Sequence, residues 1–145
     1  MDHSEALSAL SAKRDAEAQM ARAATCPPWR HAAFGLLMGG LVASPAFGLA
    51  ARTGILVLIL ACIPVIIHFD RKRMGMFING YRRGKTRVVA IGILIVELAL
   101  YVVSVVRGLG MGDHTTPLLL GVAGMLIGTI GSMLWQRVFV REMGA

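Results

Sequence analysis

The chain reads as an all-α membrane protein: a bundle of four transmembrane helices with a short cytoplasmic N-terminal helix. Three observations predict this. The 145 residues are 56% hydrophobic and only 16% charged, whereas a soluble domain carries about a quarter charged residues. Those charges avoid the long apolar runs and gather between them, and mean hydropathy is +0.67. Finally, the run from Val88 to Val106 is apolar almost without a break, with one carboxylic acid at its midpoint, Glu97. A run of that length crosses a bilayer as a helix.

The segment 1–28 is polar and predicts a cytoplasmic helix and linker. Asp2 and Glu5 have the spacing of a capping box, and alanine is abundant from Ala6 to Ala24. The apolar face is thin, so this helix is expected to be solvated or loosely docked. Pro27-Pro28 ends it, because the residue before a proline is pushed out of the helical region. The stretch is too long and too mixed in charge for a cleaved signal peptide and reads as retained.

Residues 29–145 form the transmembrane domain, with spans predicted at 29–51, 54–69, 88–106 and 117–134. Helices suit all four, because they satisfy their backbone hydrogen bonds internally where lipid offers no partner. The second span is short: sixteen residues rise about 24 Å against a hydrocarbon core of about 30 Å. It is expected to continue past Phe69, with Arg71 and Lys72 reaching for the headgroups. A turn at Arg52-Thr53-Gly54 separates the first two spans, with Ser44-Pro45 as the alternative position.

Basic residues set the orientation. Lys13, Arg14, Arg22 and Arg30 precede the first span. Arg71, Lys72, Arg73, Arg82, Arg83, Lys85 and Arg87 fall in or beside the loop 70–87, and Arg137 and Arg141 follow the fourth span. Only Arg52 and Arg107 fall on the opposite side. The positive-inside rule then places both termini and the loop in the cytoplasm, in a cytoplasmic (inner) membrane. The net charge of +7 is explained by that placement, and no nucleic-acid partner is expected. The outer side carries only the tight turn and the short loop 107–116, too little for a domain that binds a large ligand.

Glu97 heads the candidate site residues. An ionisable group at mid-membrane depth is a functional-site hypothesis by default. Tyr101 and Ser104 share its helix face, and Thr129 of the fourth span lies at a matching depth. Burial penalises the charged form, so the neutral acid is the expected resting state, ready to donate to an acceptor such as the carbonyl of Leu60 that Pro64 leaves free. Such an acid either fixes helix packing by hydrogen bonds or serves proton, ion or substrate coupling.

Gly121, Gly124, Gly128 and Gly131 line the fourth span, and Gly35 and Gly39 repeat the G-x-x-x-G spacing in the first. Small residues let helices approach closely, within the chain or between chains, so a membrane-protein partner or a homo-oligomer fits this pattern. In the basic loop Met74, Phe77, Ile78 and Tyr81 fall on one helical face. Two arrangements fit: an amphipathic segment on the inner leaflet, or extended spans turning at Asn79-Gly80. In both, Arg71, Lys72, Arg73, Arg82, Arg83, Lys85 and Arg87 contact anionic headgroups.

His31 and His68 both approach the cytoplasmic boundary, where contact with headgroups is the better reading than ligation of a haem iron. Cys26 and Cys62 form no C-x-x-C pair and no zinc-spaced cluster, so no metal and no cofactor is expected. G-x-S-x-G, H-E-x-x-H and the P-loop are all absent. The expected function is therefore that of a non-enzymatic membrane subunit or assembly factor. The alternative is a small proton- or cation-coupled transporter or channel centred on Glu97.

Overall fold

The computed structural model describes residues 3–23, 25–74 and 84–142. They form five helices, and no strand occurs among them: α1 (His3–Ala23), α2 (Pro28–Ala43), α3 (Leu49–Met74), α4 (Lys85–Val105) and α5 (Thr115–Glu142). Three are long and apolar enough to cross a membrane, over Leu49–Lys72, Lys85–Gly110 and Thr115–Glu142, as an integral membrane protein requires. The Asp2 capping residue, Arg82, Arg83, the Phe77-Ile78-Tyr81 face and the Asn79-Gly80 turn lie outside the described residues.

Proline punctuates the start of the bundle. Pro28 opens α2 where its missing N–H is no loss. Pro45 closes it earlier than the sequence suggests. The helix stops at Ala43, a 3₁₀ turn covers Ser44–Ala46, and Phe47 is extended. Pro45 has no N–H to give, and the carbonyl of Leu41 instead accepts both the Ser44 amide and the Ser44 hydroxyl, the latter at 2.7 Å. The turn is therefore at Ser44-Pro45, and Arg52-Thr53-Gly54 lies inside α3. The first span does not run to residue 51.

The basic segment is also shorter than expected. α3 continues to Met74, so Arg71, Lys72 and Arg73 occupy its last turns, and Lys85 and Arg87 open α4. Only the central part of 70–87 can be a loop. Gly84 immediately precedes α4, and its φ of 142° suits only glycine. Glu142 of α5 replaces the missing cap, accepting the Lys85 amide on Oε1. At its C-terminal end α4 runs on through a π turn, Val106–Gly110, which shrinks the loop expected at 107–116 to 111–114. Asp113 then caps α5: its Oδ1 accepts the amides of Thr115 at 2.9 Å and Thr116 at 3.1 Å.

The core lies between α2, α4 and α5. α2 lies antiparallel along α5, with Gly35 beside Thr129, Gly39 beside Gly121, and Gly121 beside Ala43. α4 covers the other side, pressing Ile93 onto Gly131 and Glu97 onto Gly124. α3 stands apart. Only 6% of its apolar window is buried, against 22% in α5.

Candidate functional site

Glycine creates the room in which the polar groups sit. A β-carbon at Gly39 would lie 2.6 Å from the carbonyl oxygen of Gly121, and one at Gly35 would overlap the hydroxyl of Thr129. Gly121, Gly124, Gly128 and Gly131 are all buried. All six glycines singled out in the sequence therefore meet at helix contacts within this one chain. Close backbone approach is the main attraction available between helices in lipid.

Glu97 points into this seam. It is 6% exposed, and a β-carbon on Gly124 would stand 3.0 Å from its Oε2 and 3.3 Å from Val42 Cγ2. Neither carboxyl oxygen has a hydrogen-bond partner among the described residues. Two of the expected partners donate elsewhere. Ser104 is fully buried and donates to the carbonyl of Val42 at 2.5 Å. Thr129 donates to the carbonyl of Met125 at 2.7 Å. Tyr101 is half-buried, and Pro64 lies on the loosely held α3. Glu97, Ser104 and Thr129 share the α2–α4–α5 core, but the two hydroxyls donate to backbone carbonyls, and among the described residues no hydrogen bond joins either to the carboxyl.

At the end of the bundle that holds both the start of α2 and the end of α5, a second polar layer forms. Arg30 Nε lies 2.8 Å from Asp70 Oδ1 and 3.1 Å from Oδ2, and Nη2 closes the fork. Beside this pair Trp29 meets Phe69 edge to face at 5.1 Å. The two contacts tie α3 to α2 at one end. Asp70 escaped the sequence reading, which weighed basic residues alone. The signal was present, since antiparallel spans put the acid near the end of one at the depth of the base that opens the other.

His31 is 5% exposed, with Nδ1 2.8 Å from Ser132 Oγ, whereas His68 is exposed. His31 is thus held by α5, and no group of three metal-ligating side chains occurs among the described residues. At the opposite end His114 Nδ1 donates to the carbonyl of Ala46 at 2.8 Å, closing the turn before α5 onto the α2 end.

The site is therefore two separate layers. One is a glycine-lined contact holding a carboxyl with no partner among the described residues, and the other is a charged, hydrogen-bonded rim. No protein-family model matches this chain, and no curated protein or solved structure shows significant similarity to it.

Proposed function

We propose that this protein is a non-enzymatic subunit or assembly factor of a membrane complex, built from four membrane helices and working through its helix faces. Its fourth membrane helix is α2. The sixteen residues of α2 and the three of the 3₁₀ turn together rise about 30 Å, the thickness of the hydrocarbon core, and α2 lies alongside α5 for its length. Both termini and the segment between α3 and α4 face the cytoplasm, because thirteen of the fifteen Lys and Arg lie toward that side.

One observation carries the functional reading. α3 is a full-length apolar span that the protein's own core hardly uses. Along it Ala50 and Gly54 are exposed at four-residue spacing, and a β-carbon on Gly54 would meet no atom within 4 Å. Small outward residues at that spacing suit close approach by another membrane helix.

Purification of the full chain in mild detergent, followed by native electrophoresis and mass spectrometry, tests this. A second membrane protein is expected to travel with the chain, and Gly54→Leu is expected to weaken the association. A chain that emerges alone under every mild condition overturns the proposal.

A second reading has its own support. A nine-tenths buried carboxyl with no partner on either oxygen among the described residues is the equipment of proton or cation coupling. On that reading Glu97→Gln abolishes proton- or cation-dependent flux in reconstituted vesicles, and the chain purifies as a self-association.

A further inference from the structure

A cavity of about 540 Å³ opens between the first turn of α2 and the last turns of α5. Cys26 and His31 form one wall, and Met133, Gln136, Arg137 and Arg141 the other. Its volume falls within the range of sites that hold small molecules or headgroups, about 300–1,000 Å³. The wall is braced before any ligand arrives. Gln136 Oε1 accepts the Cys26 amide at 3.2 Å, which pins the linker to α5, and Ser132 holds the buried His31 ring.

Charge selects the occupant. Arg137 and Arg141 are one turn apart on the same face of α5 and both line the cavity, and among the described residues no carboxylate does. The acids that α3 and α5 bring to this end are engaged elsewhere: Asp70 by Arg30, and Glu142 by the start of α4. Neither arginine has an ion-pair partner among the described residues. The planar guanidinium fork matches phosphate oxygens. Depth selects the source. Trp29, in the first turn of α2 that borders the cavity, is exposed, and indoles settle at the headgroup layer of a bilayer.

We infer that this cavity binds the phosphate of an anionic lipid headgroup, with Arg137 and Arg141 as its charged ligands. The inference is independent of what α3 contacts. It also differs from general attraction by the basic α3–α4 segment, because it needs the cavity itself and not charge alone.

The test uses the full chain in mixed micelles containing phosphatidylglycerol or phosphatidylcholine, read by thermal unfolding and by lipid retained in native mass spectrometry. Phosphatidylglycerol is expected to raise the unfolding temperature and remain bound, with phosphatidylcholine and inorganic phosphate far weaker. Arg137→Gln with Arg141→Gln is expected to reduce retention about tenfold or more, as loss of two charges near a headgroup implies. Arg52→Gln with Arg107→Gln removes the same charge at the other end and is expected to change little. Val140→Trp fills the cavity without altering charge and is expected to mimic the double arginine variant. Equal losses in both double variants, undiminished retention in the tryptophan variant, or protection by inorganic phosphate alone overturns the assignment.

Discussion

Arg30 and Asp70 form a forked ion pair between the start of α2 and the end of α3, and the two partners differ in their access to water. The Asp70 side chain is 4% exposed and that of Arg30 is 25% exposed. Removing the arginine strands a buried carboxylate, whereas removing the aspartate leaves a cation that can swing out to solvent. Arg30→Gln is therefore expected to destabilise the protein by about 3 kcal/mol, the range for breaking a buried pair. Asp70→Asn is expected to cost about half as much, since its amide still accepts a hydrogen bond. Thermal unfolding of both variants in one detergent checks the order. A larger loss for Asp70→Asn would contradict the asymmetry.

How much of this was legible beforehand follows from what each feature depends on. The spans of α4 and α5 were readable to within a few residues at their N-terminal ends, because hydropathy acts residue by residue. The glycine contacts were readable for the same reason, as spacing on one helix. The break at Ser44-Pro45 was ambiguous, since Leu41 to Leu49 stays apolar across it and only backbone donor accounting shows where the helix stops. Asp70 and Glu142 were missed because each acts across helices, on Arg30 and on the Lys85 amide. Periodicity within one helix cannot supply such pairings. The expected bond to Glu97 failed similarly: Ser104 and Thr129 donate instead to the backbone carbonyls of Val42 and Met125.

The glycines divide into two classes with opposite expected effects. At Gly39 a β-carbon would lie 2.6 Å from the Gly121 carbonyl and 2.7 Å from Met125 Cβ, whereas at Gly40 it would meet nothing within 4 Å. Gly39→Ala must push α2 off α5 and is expected to cost about 1–3 kcal/mol or more. Gly40→Ala is expected to be neutral or to stabilise by up to about 1 kcal/mol through helix propensity. Unfolding of the two neighbouring variants under identical conditions separates the classes.

Asp113 gives the N-terminal end of α5 a pH dependence of defined sign. The Thr116 hydroxyl, 2.5 Å from Oδ2, and the Thr115 and Thr116 amides hold its carboxyl below the ordinary aspartate range. A depressed folded-state value means that the cap's contribution is fully present above the unfolded value. It is lost as pH falls through the folded value. Exchange protection at the start of α5 is therefore expected to hold from neutral pH down to the ordinary aspartate range and to fall below it. In Asp113→Asn this acid-induced loss is expected to disappear. A pH dependence unchanged in that variant would assign the effect to another group.

Glu97 yields the sharpest separation between packing and chemistry. Its oxygens make no hydrogen bond among the described residues, so within the folded chain the carboxyl contributes desolvation without compensation. Methionine has a similar volume and no polar group to strand. Glu97→Met is therefore expected to stabilise the bundle by about 1–3 kcal/mol, the cost of a buried unsatisfied group. Glu97→Gln keeps that cost and is expected to leave stability near the original. If methionine instead destabilises the protein, the carboxyl has a partner in the membrane, and water or a cation at Gly124 becomes the group to find. If methionine stabilises and the association through α3 survives, the acid is dispensable to assembly. A polar group that weakens the fold and does not serve assembly is what the coupling reading requires, so flux should then be measured in the same two variants.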